Sequence, residues 1–459
     1  MTTLPRTRVR HSRARLSNLK TLVAVALVGL TNAPSDTPSA EAEPSGNTSP
    51  DAREPIPDDP TGELTLREAL GATVARSPEL QSVSWEIRSR DARALQAGRL
   101  PNPQVHAEIE NVGGTGTRRG FEDTETTVRL SQLFELGGKR GKRRRLADLG
   151  TALATWNYEA KRLHVLSEAS KAFIQVLTAQ QRVDLAGSLA RLAQEAVRAV
   201  EAQVAAGGAP PVELTRAEVA LAKAELEMSR TEQELVAARN ALAASWGSTR
   251  PTFTRVVGDL TKVTPPPSAE ELFRRLDANP DLARWETELE ERRAALSLEQ
   301  AGRVPDVTVG AGGRHFSDNS DNALVFELSV PLPVFNRNDG AIAEAEHRLS
   351  KACADRSAAY VSAHAALSAA AARLAAAYDQ AIRLRARVLP QATLALDGAL
   401  DAYRKGLFRS VDVLDAQRTL FELRADYLTT LESYHLLAAD VERLTAMPLT
   451  DSGTGGGTR

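Results

Sequence analysis

Two acidic side chains near the C-terminal end of the chain are the residues best placed to act on an ion. Asp412 and Asp415 lie three positions apart at the start of a helical pattern, so they occupy neighbouring positions on one helix face. Carboxylates held this close attract cations, and they repel each other unless they are paired. Acids in the first turn of a helix are also ordinary partners of the helix dipole. The sequence leaves both interpretations open.

A basic cluster begins an earlier helical pattern. It consists of Lys139, Arg140, Lys142 and Arg143, followed by Arg144 and Arg145. A phosphate-binding P-loop is excluded because no glycine lies five residues before Gly138 or Gly141. Nucleic acid is a poor candidate partner, since 57 basic residues are balanced by 59 acidic ones. The cluster fits either a collar that touches lipid phosphates or a solvated helix end.

No group of residues has the spacing that catalysis or cofactor binding requires. The seven histidines are scattered, without close pairs or acids at metal-ligand spacing. Nucleophile elbows and glycine-rich nucleotide loops are absent from the sequence. The single cysteine, Cys353, lies inside a helical pattern, so no disulfide framework is possible. The sequence therefore predicts a protein that is not an enzyme and holds no metal or cofactor.

The first segment has the features of an export signal. Residues 1–20 carry six basic side chains and no acid, and a short apolar run from Leu22 to Leu30 follows. The small-x-small element Ala40-Glu41-Ala42 supplies a cleavage site. We therefore predict a signal peptide over 1–42 and a flexible leader, rich in Pro, Ser and Thr, over 43–63.

The remainder of the chain reads as two repeats, predicted at 64–264 and 265–447, with a disordered tail at 448–459. The run from Ala97 to Pro101 (AGRLP) matches the run from Ala301 to Pro305 (AGRVP). A helical seam with 3-4 spacing that begins at Leu214 recurs in the same phase 199 positions later, from Val413. Agreement in both offset and phase indicates an internal duplication.

Each repeat contains one very long helical pattern that ends at a tight break. The long patterns run over about 138–206 and 338–405, and each helix would reach about 100 Å at ~1.5 Å per residue. Heptad seams predict that they pack as coiled coils. Turn residues at each break reverse the chain: Gly207, Gly208 and Pro210 in the first repeat, Gly406 and Leu407 in the second.

Each repeat also contains two short strands with period-two alternation, at about 103–111 and 124–134, and at about 305–313 and 323–331. Leu324, Phe326 and Leu328 point to one face, whereas Glu327 and Ser329 point to the other. An apolar face opposite a polar face suits a membrane barrel with a wet lumen. Four strands cannot close a barrel, and open edges are not tolerated in lipid. Several chains must therefore share one barrel, and a trimer would give about twelve strands.

At this point the sequence resembles a known family. The motifs that carry the likeness are Pro101-Asn102-Pro103, the run LSQLFELGGKR from Leu130 to Arg140, and the stretch from Tyr403 to Ala416. Together with the duplicated order, they resemble the TolC family of outer-membrane efflux proteins over about 64–447. The run from Glu135 to Arg140 is most similar to the heavy-metal, cobalt–zinc–cadmium (CzcC-like) branch. Many relatives carry a lipidated N-terminal cysteine, which this sequence lacks.

The resemblance implies a trimeric duct with a shared twelve-stranded barrel in the outer membrane and a periplasmic helical tunnel. It also implies docking, at the two breaks, to a periplasmic adaptor and an inner-membrane pump of the proton-driven RND type. Asp412 and Asp415 then line the periplasmic gate, and Tyr403 matches a tyrosine that helps to hold the gate shut. A basic gate partner of relatives is not matched, because Phe408 takes its place.

These inferences define one expected protein and two alternatives. The expected fold class is mainly α with a small β part: a long coiled-coil helical barrel plus four strands of a shared barrel. The expected function is a passive outer-membrane exit duct of a tripartite efflux system for heavy-metal cations, located in the outer membrane. One alternative is a periplasmic coiled-coil adaptor or scaffold. The other is a duct of the same type for drugs or organic toxins.

Overall fold

The computed structural model describes residues 59–405 and 407–447. The predicted signal peptide 1–42, most of the predicted leader 43–63, Gly406 and the predicted tail 448–459 lie outside the described residues. The described part is mainly helical, with two small sheets.

The helices and strands have the following bounds. The helices are α1 Leu66–Arg76, α2 Pro78–Ala97, α3 Lys139–Ala205, α4 Pro211–Ala244, α5 Ala269–Leu276, α6 Pro280–Ala301, α7 Asp339–Arg383, α8 Leu389–Arg404 and α9 Ser410–Thr445. The strands are β1 Gly62–Thr65, β2 Gln104–Glu110, β3 Glu125–Phe134, β4 Phe253–Val257, β5 Val307–Phe316 and β6 Asn322–Ser329.

The first helical stretch is broken, whereas the sequence pattern predicts one helix of about 35 residues. Helix α1 begins at a capping box, in which Glu68 N donates to Thr65 Oγ1 and Thr65 N donates to Glu68 Oε2. It ends at Arg76 because Pro78 disfavours helical geometry at Ser77 and then starts α2 as its first residue.

The two long helices differ in continuity. Helix α3 runs for 67 residues without interruption, which corresponds to about 100 Å at ~1.5 Å per residue. The second long pattern was predicted as one helix over 338–405, and this prediction is wrong in one respect. A π-helical turn at Leu384–Val388 separates α7 from α8. Pro390 follows this turn and cannot donate a backbone hydrogen bond to the preceding turn.

Three buried apolar clusters hold the helices together. The largest joins α3, α4 and the small sheet through Phe173, Leu242, Trp246 and Phe253. The second packs α5 and α7 against α9, and it includes Leu272, Leu367, Leu374 and Val441. The third lies between α8 and α9 and consists of Leu396, Ala399, Val413 and Leu420. The long helices are therefore fixed along their length by modest side chains rather than by a single thick core.

A two-stranded parallel sheet forms where the sequence predicts the end of the leader. Strand β1, Gly62–Thr65, pairs with β4, so Gly62 and Glu63 belong to an ordered strand rather than to a flexible leader. Leu64 is 1% exposed and packs in the largest cluster, which explains why this segment is fixed.

The second sheet has the strand order β2-β3-β5-β6, and every neighbouring pair is antiparallel. Its two middle strands come from different halves of the chain, with Leu130 opposite Ala311. The order of elements is the same in both halves: a helix, two strands of this sheet, a long helical stretch and a returning helix.

Candidate functional site

One face of the four-stranded sheet is apolar and faces away from the rest of the chain. Val105 and Ile109 on β2 and Leu324, Phe326 and Leu328 on β6 share this face and are exposed. Phe326 is 78% exposed. A contiguous exposed apolar face of this kind marks a surface that meets lipid or another protein.

The opposite face carries an ionic network. Arg129 on β3 pairs with Glu108 on β2 at 3.7 Å and with Glu327 on β6 at 3.1 Å. Arg314 on β5 pairs with Glu125 at 2.8 Å. Arg314 also lies 3.3 Å from Glu110, and its Nε donates to Thr127 Oγ1 at 2.9 Å. Four carboxylates thus share two guanidinium groups, which leaves this face of the described sheet net negative.

Two glycines make possible the ion pair between Arg129 and Glu327, which crosses strand β5. Gly310 and Gly312 lie on the ionic face of β5, between Arg129 on one side and Glu327 on the other. A Cβ atom at Gly312 would lie 2.1 Å from the Val128 carbonyl oxygen and 2.6 Å from Arg129 Cα. The absence of side chains therefore lets Arg129 reach across β5. The sequence patterns above do not predict this network, although glycines beside charged positions on one strand face could have indicated it.

The edges of this sheet are open within the chain. Strand β2 has β3 as its sheet neighbour and β6 has β5, so each pairs on one side among the described residues. Open edges next to an apolar exposed face would leave backbone N–H and C=O groups unsatisfied in lipid. In lipid, both edges of this sheet would need a further strand to pair with.

The structure places the acid pair at the start of α9, where both acids have partners within the chain. Asp412 Oδ2 accepts a hydrogen bond from the Arg409 backbone N–H at 2.9 Å, which caps the helix start. Asp415 pairs with Arg418 at 2.7 Å and is exposed. Tyr403, at the end of α8, donates its hydroxyl to Gln203 Oε1 on α3 at 2.9 Å. Tyr403 therefore joins the two long helical stretches next to the acid pair.

The two helix reversals share one type of closing backbone hydrogen bond. At the first, Gly207 has a φ of 76° and the Gly208 N–H donates to the Gln203 carbonyl at 2.8 Å. At the second, the Leu407 N–H donates to the Ala402 carbonyl at 2.9 Å. Both bonds close the helix end in the manner of a Schellman motif. Pro210 then precedes α4. Gly406 lies outside the described residues.

The basic cluster at the start of α3 is bonded to its own chain. Lys139 pairs with Asp306 at 2.8 Å, and Lys142 donates to the Ser297 carbonyl at 3.1 Å. Arg140 donates to the Gly98 carbonyl at 2.6 Å. These side chains anchor the ends of α2 and α6 to α3.

Arg143 makes the most extensive of these contacts. It donates to the Ala97 carbonyl at 3.0 Å and holds Glu135 through two hydrogen bonds of 2.5 and 2.9 Å. The hydrogen bonds from Arg143 keep the pKa of the Glu135 carboxyl below its ordinary value, so this pair stays charged. The cluster thus has a structural role, and contact with lipid phosphate stays a prediction.

Over 59–405 and 407–447, no three His, Cys, Asp or Glu side chains lie where they could hold a metal ion together. Within the same ranges, no helix is both long enough and apolar enough to cross a membrane.

Fold and site together define a channel subunit, with a sheet that has one apolar and one ionic face and very long paired helices. A family model described as outer membrane efflux protein matches residues 69–248 and 274–446. The chain therefore belongs to the outer membrane efflux protein family, as the sequence motifs predict. Its place is the outer membrane, and the alternative of a periplasmic adaptor is set aside.

Similar proteins support this assignment. The chain is 33% identical to the cobalt-zinc-cadmium resistance protein CzcC of Cupriavidus metallidurans, over 85% of this chain and 91% of that protein. It is 31% identical to the nickel and cobalt resistance protein CnrC of the same organism, over 62% and 67% of the two chains. A crystal structure of CusC has a TM-score of 0.72 at 18% identity, covering 84% of this chain and 93% of that one, and it shows the same fold.

Proposed function

We propose that this chain forms the outer-membrane exit duct of a tripartite system that expels heavy-metal cations. The observation that carries the proposal is the four-stranded sheet, whose apolar face suits lipid and whose ionic face suits a water-filled lumen. The metal cargo is supported by two relatives that are named for cobalt, zinc, cadmium and nickel resistance. The net negative face of the sheet also favours cations over anions.

In this proposal three copies share one barrel of about twelve strands. The support is that β2 and β6 each pair on one side within the described chain. The two halves act as structural repeats, in agreement with the separate matches of the family model to 69–248 and 274–446. Mass measurement in mild detergent should give a trimer, and a stable monomer would refute the shared barrel.

The face assignment can be tested by one pair of substitutions. Phe326→Asp should destabilise the inserted barrel by about 2–4 kcal/mol if the residue lies near the middle of the bilayer. Ser329→Asp, on the ionic face of the same strand, should have little effect. The comparison uses the fraction of protein recovered from outer membranes, and equal losses at both positions would mean that the faces are reversed.

The cargo can be tested by growth. A deletion strain should become sensitive to cobalt, zinc or cadmium, and the wild-type gene should restore resistance. A strain that loses resistance to organic toxins, and keeps metal resistance, would favour the alternative cargo. Because the duct has no energy source of its own in this proposal, an adaptor and an RND-type pump must supply it.

The helix reversals are the proposed docking tips for the adaptor. Two exposed apolar side chains support this assignment: Val212, which follows Pro210 at the first reversal, and Leu407 at the second. Leu407→Asp should abolish metal resistance while the trimer still reaches the outer membrane. Leu226→Asp, at an equally exposed position along α4, is the matched control.

The proposed gate consists of Tyr403, Asp412 and Asp415, which in a trimer would bring six carboxylates around the narrow end of the tunnel. In planar bilayers, Asp412→Asn with Asp415→Asn should reduce cation selectivity and block by multivalent cations. Tyr403→Phe removes the hydrogen bond to Gln203, worth about 0.5–1.5 kcal/mol, and should raise conductance. Unchanged selectivity in the double variant would leave both acids as helix-start residues, in line with their bonds to Arg409 and Arg418.

A further inference from the structure

The segment that follows β6 carries apolar side chains that are exposed to solvent. It runs from Val330 to Asn338 and is called the β6 exit below. Within it, Leu332 is 79% exposed and Phe335 is fully exposed. Both ends are nevertheless held, because β6 pairs with β5 and Asn338 Nδ2 donates to the Glu299 carbonyl at 2.9 Å. A fixed segment that presents a fully exposed phenylalanine indicates a partner outside this chain.

The equivalent segment after β3 shows what such an exit packs against. The β3 exit, residues 135–138, lies against the residues that lead into β5. The Leu136 N–H donates to Asp306 Oδ1 at 2.9 Å. A Cβ atom at Gly137 would lie 3.1 Å from Val304 Cβ, so the backbone touches that side chain closely. The β3 exit therefore packs beside the lead-in of β5, the segment that comes just before that neighbouring strand.

The lead-in to β2 has no exit against it among the described residues. In the matching AGRLP and AGRVP runs, Leu100 takes the place of Val304. Leu100 is 63% exposed and Leu95 is 65% exposed. Both line an open groove at the end of α2, which Arg140 and Arg144 border. The four-stranded sheet thus has one uncovered exit after β6 and one empty groove before β2.

Strand direction brings these two features together between neighbouring copies. All sheet neighbours are antiparallel, so β6 ends at the level at which β2 begins. Antiparallel pairing of β6 with β2 of a neighbouring copy would continue the pattern and put the β6 exit beside that copy's groove. We propose that Leu332 and Phe335 of one copy pack into the Leu95–Leu100 groove of the next, as a latch below the barrel.

The occupant that fits the groove is a second copy of this chain rather than lipid. The charged side chains of Asp91, Arg140, Arg144 and Asp148 line the groove together with Leu95 and Leu100. An acyl chain would gain little beside those charges, whereas a single phenyl ring can contact the leucines alone. The latch rests on the shared barrel of the proposed function and adds the contact that closes it on the periplasmic side.

Cysteine cross-linking tests the contact directly. In a Cys353→Ser background, Phe335→Cys combined with Leu100→Cys should give covalent dimers and trimers after mild oxidation or with a short bismaleimide. Phe335→Cys combined with Leu226→Cys pairs the exit with an exposed position on α4, and it should give none. If the protein is trimeric but the Phe335→Cys and Leu100→Cys pair does not cross-link, the latch is refuted and the shared barrel is not. Monomers in mild detergent would remove both.

Two substitutions of Phe335 test how much it stabilises the trimer and whether it contacts lipid instead. Phe335→Asp should shift the trimer towards monomer roughly tenfold, as expected for loss of one buried aromatic contact, whereas Phe121→Asp at an exposed loop should not. Phe335→Trp should keep its fluorescence in vesicles of brominated lipid. Strong quenching there would assign the residue to the lipid and overturn the proposal.

Discussion

The two helical hairpins of the chain, α3 with α4 and α7–α8 with α9, share their turns and differ in their interiors. Both reversals close with the same backbone hydrogen bond, from Gly208 to Gln203 and from Leu407 to Ala402. Towards its tip, the first hairpin buries mainly small residues, such as Ala193, Ala217 and Ala224. The second buries leucines, is interrupted by a π-helical turn and carries the proposed gate. Two hairpins of one chain can thus share a helix-end hydrogen bond while the packing between their helices differs.

The largest difference between the two hairpins is expected in how much their buried leucines stabilise the fold. Leu420 is 3% exposed and packs between α8 and α9, whereas Leu221, 199 positions earlier, is only partly buried. Leu420→Ala should lower the free energy of unfolding by about 2–5 kcal/mol, because it leaves a cavity. Leu221→Ala should cost about 1 kcal/mol. Denaturation of the purified protein, followed by circular dichroism, measures both, and equal losses would mean that the two seams pack alike.

A smaller effect is expected at the first reversal. Gly207 has a φ of 76°, so Gly207→Ala should destabilise the hairpin by about 1–2 kcal/mol. Gly208 has no such backbone strain, and a Cβ atom there would lie 3.5 Å from the Gln203 carbonyl oxygen. Gly208→Ala should therefore change stability by less than about 0.5 kcal/mol. Protease cleavage near the tip would report the difference, and similar cleavage of both variants would contradict it.

The stability of the two hairpins should also depend differently on pH, because a histidine is buried in only one of the two positions compared. His435 on α9 is mostly buried and its Nε2 donates to the Leu260 carbonyl, whereas Val236, 199 positions earlier, is exposed. Burial lowers the pKa of His435, although the Leu260 carbonyl and Asp259 oppose the shift. The unfolded chain then binds the proton more tightly, so stability should fall as the pH drops below about 6.5.

His435→Gln keeps a hydrogen-bond donor and removes the titration, so it should flatten this part of the stability curve between pH 7 and 5. Val236→Gln is the matched control and should leave the acid sensitivity unchanged. An unaltered curve in the His435 variant would assign the sensitivity to other groups.

The smallest effect is expected at Pro390. The π-helical turn already removes the helical acceptor that a residue at this position would use, so Pro390→Ala should change the unfolding free energy by less than about 1 kcal/mol. Thermal unfolding measures the change. A stabilisation approaching 3 kcal/mol would instead show that the proline strains an otherwise regular helix.

The sequence predicted the helices and strands well where apolar residues recur with a regular helical or strand spacing. The alternation of Leu324, Phe326 and Leu328 against Glu327 corresponds to the two faces of β6 in the structure. Family and outer-membrane location, which depended on the motifs, are confirmed by the family match. The gate and the tips stay predictions, because they concern contacts between chains.

Other features could not be predicted because they depend on contacts between distant segments. Pairing of Gly62–Thr65 with Phe253–Val257 joins two short strands with little pattern of their own. The Arg129–Glu327 ion pair depends on Gly310 and Gly312 in a third segment. The break at Ser77, by contrast, has a local signal in Pro78, which the prediction of a single helix did not take into account.

The π-helical turn also affects the spacing of the buried positions along α7 and α8. Before it, the buried or partly buried positions Ala363, Leu367, Ala370, Leu374, Ala377 and Ala381 advance by alternate steps of three and four residues. After it, Leu389, Ala392, Leu396, Ala399 and Tyr403 do the same. Between the two series the chain advances eight residues, from Ala381 to Leu389, where two such steps would take seven. One skip residue is therefore present.

In a regular α-helix a skip residue would turn everything that follows by about 100° around the helix axis. A π-helical turn holds an additional residue, so it absorbs the skip within Leu384–Val388. Tyr403 consequently faces Gln203, as it would in an uninterrupted heptad series. Deleting one residue from this turn would leave a straight helix with every later side chain still on its present face.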